Sequence, residues 1–223
     1  RTLDFTNSAA FTPPDSGDGY TLERNKQVTI TENGKPTDYE TDCLTLNNIL
    51  VDTVDPYGIK VPGDIYPGFC IDLPAGTEST ITGGRVIVTS EDVPRVAGLQ
   101  GGKYLLLTGS GTLNVTGNDI ISDDNGGVYS TISYGISMSK TLDAQLIVDG
   151  PTVNASGGKG LHSTKWWMTS SVGIQPYIFM FNGKLTARGN EVASRGSNGT
   201  SNGITIYDGE FYAYGNDSGI GDG

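Results

Sequence analysis

One phrase recurs along this chain: two short alternating runs flank a glycine turn, and a further glycine closes the pattern. It reads YLLLTGSGTLNVTGN from Tyr104 to Asn118. It returns as QLIVDGPTVNASGG (Gln145 to Gly158), FMFNGKLTARGN (Phe179 to Asn190) and TIYDGEFYAYGN (Thr205 to Asn216). A phrase returning at intervals of this size marks a repeat architecture, in which each unit buries its apolar face only against its neighbours. Two earlier copies begin at Cys43 (CLTLNNILVDT) and Cys70 (CIDLPAGTESTITGG). The strands keep their length while the segments between them vary, as when stacking fixes a cross-section and insertions are pushed outward at one corner.

Period-2 alternation assigns the two faces of each strand. Aligning the phrase places Leu113, Val153, Leu185 and Phe211 in one inward column, with Val115, Ala155, Ala187 and Ala213 in a second, smaller one. Asn114, Asn154, Thr186 and Tyr212 face outward, as do Thr116, Ser156, Arg188 and Tyr214. Gly117, Gly157, Gly189 and Gly215 are expected at corners that require positive φ. A Gly-plus-aliphatic step (Gly58-Ile59, Gly135-Ile136, Gly160-Leu161, Gly219-Ile220) is expected to supply a third wall. Helical periodicity is absent. The predicted fold is all-β, a right-handed single-stranded parallel β-helix (β-solenoid). Residues 1–42 form an N-terminal β cap over its first open edge, and repeats fill 43–223.

These strand patterns and the recurrent Gly-Ile step resemble the right-handed parallel β-helix repeats of bacterial extracellular carbohydrate-binding proteins. Those proteins are similar in fold to pectate lyases but generally lack their catalytic set. The resemblance covers roughly Cys43 to Gly223. It implies a secreted or cell-surface protein, with calcium and acidic or neutral polysaccharides as ligands. The start at Arg1-Thr2-Leu3 is that expected of a processed polypeptide. The stop at Gly223, in mid-repeat, predicts further repeats in the full-length protein.

Charge narrows the partners. Lys plus Arg number 14 against 25 acidic residues, a formal net charge of −11. Nucleic acid and anionic membranes need a basic surface for counterion release, so both are poor partners. No run of ~18 apolar residues is present to span a bilayer. Cations, neutral glycans and other proteins remain open. The two cysteines, Cys43 and Cys70, occupy equivalent positions of successive repeats; one disulfide and two free thiols both fit the sequence.

Catalytic signals are sparse. His162 is the single histidine, which removes most nucleophilic triads and all multi-histidine metal sites. A polysaccharide lyase would need a base, with Arg188 and Arg195 in the right region. The acidic partners on the same wall are missing, and the outward neighbours of Arg188 are Ser156 and Tyr214. Calcium has a candidate source of hard oxygen ligands in Asp119, Asp123 and Asp124, gathered in one glycine-bordered insertion. Acidic turn residues that merely cap corners would look the same.

The aromatic residues carry the most specific signal. Trp166 and Trp167 lie side by side in the insertion Lys159 to Tyr177, with Tyr177 at its end. Tyr207, Tyr212 and Tyr214 are expected to face outward on the final strands. Aromatic faces beside Asn, Asp and Arg suit a sugar, whose CH groups pack on a ring while polar groups take its hydroxyls. The expected carbohydrate-binding set is therefore Trp166, Trp167, Tyr177, Tyr207, Tyr212, Tyr214 and Arg188. The function expected is non-catalytic polysaccharide binding, with calcium assistance, outside the cell or at its surface. An adhesive or filament protein, contacting other chains through its last strands, is the competing class, and a lyase comes third.

Overall fold

The computed structural model of the chain describes residues 1–7, 12–32, 34–83, 86–88, 95–118, 120–122, 131–138, 143–161, 169–190, 197–215 and 218–220. Every regular element among them is a β-strand, so the all-β expectation holds, and none of them forms a helix long and apolar enough to cross a membrane. The expected single-stranded right-handed parallel β-helix is corrected. The strands are gathered into two large sheets, one of them mixed, and a small third sheet.

The first sheet is seven-stranded and wholly parallel, in the order Leu3–Asp4, Tyr57–Lys60, Arg95–Gly101, Thr131–Met138, Thr169–Ile174, Ser197–Thr200 and Ser218–Ile220. The second is twelve-stranded. Two parallel ladders run through it. One stacks Phe69–Leu73 on Tyr104–Gly109, and the other stacks Leu50–Asp52, Glu78–Thr82 and Thr112–Thr116. They fuse because two twelve-residue strands, Gln145–Ser156 and Tyr177–Arg188, belong to both at once. Beyond Tyr177–Arg188 the ladders separate again, into Ile204–Ile206 and Glu210–Tyr214. What the sequence presents as two walls of a coil is thus one bent sheet.

The bend lies inside the repeated phrase. Gly109, Gly150, Gly183 and Gly209 take φ of +92°, +111°, +100° and +97°, a region that only glycine enters at little cost. The corner glycines expected at positive φ, Gly117, Gly157 and Gly189, are instead required by close approach. A Cβ on Gly157 would lie 2.6 Å from the carbonyl oxygen of Ser133, and one on Gly189 would lie 2.5 Å from the amide of Asn198, both on the seven-stranded sheet.

That sheet answers with a glycine column of its own. Gly58, Gly98, Gly135, Gly173 and Gly199 fall on matching positions of consecutive strands, bracketed by the paired residues on either side. A Cβ on Gly135 would meet the Ser156 amide and the Gly173 carbonyl oxygen, each at 2.6 Å. The two sheets therefore touch backbone to backbone along one seam. The Gly-Ile step has this origin at Gly58 and Gly135, whereas Gly160–Leu161 belongs to the small parallel sheet with Val86–Val88 and Ile120–Ser122.

Between the sheets lies the main core. Leu113, Val153, Leu185 and Phe211 are in register on consecutive strands, as are Val115, Ala155, Ala187 and Ala213, matching the columns read from the sequence. Except for Phe211 and Ala213, on the last strand, these residues are buried.

The N-terminal segment and the repeats share strands. Leu3–Asp4 opens the seven-stranded sheet, and Lys35–Leu46 runs across position 42. Tyr20–Glu32 and Lys35–Leu46 form an antiparallel hairpin with a register shift between Glu23 and Lys26. Asn25 sits at that irregularity with φ of +54°. A bulge bends a hairpin and increases its twist, and here it divides two packing roles. Before it, Tyr20 and Leu22 join the main core; beyond it, Val28 and Ile30 join a separate cluster with Cys43, Cys70, Leu106 and Ile147. These last four form an in-register row on the outer face of the twelve-stranded sheet, which Phe179 extends. The tip half of the hairpin thus lies over that row. It is tied down by Lys26 to Asp72 (3.0 Å) and by the Thr31 amide donating to Asp149 (3.1 Å). Cys43 and Cys70 are joined as a disulfide between adjacent strands, with Cα atoms 4.3 Å apart, beneath this cover.

Candidate functional site

The hairpin stops short of the end of the outer row, and a cleft opens where it stops. Its volume is about 190 Å³, and Glu32, Tyr66, Gln145, Ile147, Phe179, Phe181 and Tyr207 line it. Each side has a distinct origin. Ile147 and Phe179 are floor because they face outward at matching positions of the two long strands. Phe181 lies further along the same strand, and its ring stacks on Tyr207, with centroids 4.9 Å apart and planes inclined by 13°. Gln145 faces outward in register between Tyr104 and Tyr177.

Glu32 closes the opposite side from the hairpin tip. Its carboxylate accepts hydrogen bonds from the Tyr39 hydroxyl (3.2 Å) and from the Tyr66 hydroxyl. Tyr39, Tyr66 and Tyr104 form an edge-to-face run, with successive ring centroids 5.6 Å apart. Burial, then the neighbouring Glu32 carboxylate, pushes the Tyr66 hydroxyl well above the ordinary tyrosine range; the same two causes raise Tyr39. Both hydroxyls therefore stay protonated donors, which fixes the Glu32 carboxylate at the lip of the cleft.

A second facet lies past the bend at Gly183 and Gly209. On it Lys184 Nζ stands 5.2 Å from the Tyr212 ring centroid, and the Arg188 guanidinium carbon stands 5.0 Å from that of Tyr214. Lys184 also pairs with Glu210 at 3.2 Å, and the Tyr212 hydroxyl donates to the same carboxylate at 3.2 Å. The hydrogen bond from Lys184, then its charge, holds the Glu210 carboxyl below the ordinary glutamate range; reciprocally, Glu210 raises Lys184. With a depressed folded value, the pair is intact above the ordinary glutamate range and is lost as pH falls through the depressed midpoint. An NMR titration of Glu210 is expected to show that low midpoint, and Lys184→Met is expected to raise it toward the ordinary range, with the Tyr212 hydrogen bond still holding part of the shift.

The structure separates the residues expected from sequence. Tyr207 lines the cleft, while Tyr177, 45% exposed, stands beside it in the Gln145 row. Tyr212, Tyr214 and Arg188 sit together on the second facet, with both tyrosines exposed. Trp166, Trp167, His162 and Arg195 lie outside the described residues, as do Asp119, Asp123 and Asp124. Among the described residues no group of three His, Cys, Asp or Glu side chains is placed to hold a metal ion.

Sequence reasoning missed Glu32, Tyr66, Gln145, Phe179 and Phe181. A signal for part of this was available. Leu105-Leu106-Leu107 and Leu146-Ile147-Val148 are continuous apolar runs, and a strand that is apolar on both faces is covered on both. No protein family, no curated protein and no solved structure matches this chain.

Proposed function

We propose that this protein binds polysaccharide without chemical turnover, on the outer face of the twelve-stranded sheet. The observation that carries the reading is the cleft at the hairpin tip. There the stacked Phe181 and Tyr207 rings share one cleft with a fixed carboxylate, and Gln145 lines it as well. A pyranose has an apolar CH face and a ring of hydroxyls, and this arrangement offers a partner to each. The disulfide supports an oxidising location, outside the cell or at its surface. Calcium assistance remains part of the proposal through Asp119, Asp123 and Asp124.

Native electrophoresis through gels containing dextran, laminarin or hyaluronan tests the reading. At least one polymer is expected to retard the chain. Tyr207→Ala should weaken that retardation about tenfold, the equivalent of one well-placed aromatic contact. Val54→Ala, an exposed residue remote from the cleft in sequence, should leave it unchanged. Retardation by none of the three polymers, with and without calcium, contradicts the proposal.

A second reading, contact with other protein chains, rests on the strands Ile204–Ile206 and Glu210–Tyr214. Among the described residues each is paired on one side only, so each presents free backbone donors and acceptors. Concentration-dependent assembly in sedimentation experiments would favour it.

A further inference from the structure

We infer that Arg188 and Tyr214 form a subsite for an anionic substituent on the bound glycan, a carboxylate or a sulfate ester. This rests on the polysaccharide reading above and names the class of glycan.

The second facet is mostly neutral. Three outward rows run along it. One is Glu78, Thr112, Thr152, Lys184 and Glu210. The next is Leu50, Thr80, Asn114, Asn154, Thr186 and Tyr212, and the last is Asp52, Thr82, Thr116, Ser156, Arg188 and Tyr214, with Asp52 four strands away from Arg188. Most members are neutral hydroxyls and amides. Several are bonded to one another along the rows, as Asn154 donates to Asn114 at 2.9 Å and the Thr116 and Ser156 hydroxyls lie 3.2 Å apart.

Among the described residues one pair of charged members cancels, Lys184 with Glu210. Glu78 accepts from Asn114 at 2.7 Å. Arg188 forms no ion pair among the described residues and is exposed. In a chain with 25 acidic residues against 14 basic ones, an arginine with no carboxylate partner among the described residues is a departure from the surrounding chemistry.

Arg188 is also held in place. Its backbone is fixed in the ladder between Ser156 and Tyr214, and its guanidinium lies over the Tyr214 ring. Stacking on an aromatic face orients the planar fork and consumes none of its N–H donors, so the fork keeps the geometry for bidentate pairing with a carboxylate or sulfate. Ser156, the adjacent member of the same row, adds a hydroxyl beside it.

Location joins this subsite to the cleft. Phe181 and Arg188 are on one continuous strand, so they are separated by roughly 20 Å at ~3.3 Å per residue, less what the bend removes. An extended oligosaccharide lying along Tyr177–Arg188 would meet the stacked rings at one end and the guanidinium at the other. General attraction does not account for such binding, because a net charge of −11 repels polyanions.

The test is native electrophoresis of the full chain through gels containing dextran, dextran sulfate or hyaluronan, at one fixed salt concentration. Wild-type protein is expected to be retarded at least tenfold more strongly by one of the anionic polymers than by dextran. Dextran sulfate alone would assign a sulfate ester, and hyaluronan alone a carboxylate. Arg188→Gln is expected to lose that preference, and Arg188→Lys to recover only part of it, since an ammonium keeps the charge without the fork. Arg24→Gln removes the same charge from the hairpin and is expected to keep the preference. Thermal melts confirm that each variant is folded. If dextran retards the chain as strongly as the anionic polymers and Tyr207→Ala weakens all of them, the inference is overturned and the polysaccharide reading stands. If Arg188→Gln retains the anionic preference, the inference is likewise overturned. Retardation by none of the three overturns the inference, and if laminarin also fails to retard the chain the polysaccharide reading falls with it.

Discussion

Replacing Cys43 and Cys70 together by alanine is expected to lower the stability of the fold by about 3.5 kcal/mol. The bridge spans a sequence separation of 27 residues, and restricting the unfolded chain over a loop of that size is worth about that much. For a chain of this length the melting temperature should fall by about 10 °C. The same bond stitches the hairpin to the first strand it covers, so loss of the bridge should act on the cleft as well. Both cysteines are buried, under Val28 and Ile30. Reductant should therefore open the bridge slowly in the folded protein and quickly once denaturant is added. A thiol titration under each condition checks this, with denaturant melts of the double variant alongside. A loss below about 1 kcal/mol would mean that the bridge joins parts already held by packing.

Gly135→Ala should cost nearly as much, about 3 kcal/mol, although it adds a single methyl group. That methyl would need to lie 2.6 Å from the Ser156 amide and from the Gly173 carbonyl oxygen. Both are backbone atoms in paired strands, so neither can rotate aside and the sheets must part along the seam. Gly76→Ala is the informative comparison. Gly76 has a φ of +75° but open space around it, so only the local backbone cost applies, about 1 kcal/mol. Urea melts of the two variants should therefore rank Gly135→Ala well below Gly76→Ala. The opposite ranking would show that turn geometry, rather than the seam, limits the fold.

That comparison also shows what sequence reading could and could not recover. Leu113, Val153, Leu185 and Phe211 were legible as a column because alternation with period 2 is local, and because stacked strands reuse the same position for the same size of side chain. The glycines were legible as constraints but not for their reason. Gly157 and Gly109 look alike in sequence, yet Gly157 is set by the backbone of the other sheet, whereas Gly109 combines a positive φ with close approach to Leu73 on its own sheet. Only the arrangement of the second sheet distinguishes them. The merging of two apparent walls into one sheet depends on whether the two long strands stay paired on both sides of the irregularity at Gly150 and Gly183, which no local pattern encodes.

The candidate site divides in the same way. Tyr207, Tyr212, Tyr214 and Arg188 follow from outward alternation on a strand, and they are found facing outward. Glu32 reaches the cleft because the hairpin bends at Asn25 and crosses strands distant in sequence, and Tyr66 meets it there from the segment between Tyr57–Lys60 and Phe69–Leu73. Long-range placement of that kind is a property of packing and is not written in spacing. The apolar runs at Leu105 to Leu107 and Leu146 to Val148 do announce that something must cover the outer face. They do not say what.

The central claim is that ligand binds where the hairpin's cover ends. Aromatic-ring NMR of isotope-labelled protein tests it most directly, with titration by whichever polysaccharide retards the chain in gels. The account predicts shifts of the Phe179, Phe181 and Tyr207 ring signals, with Tyr57 and Tyr134, on the seven-stranded sheet, unmoved. Ring shifts at Tyr57 and Tyr134, with Phe181 and Tyr207 unmoved, would contradict it.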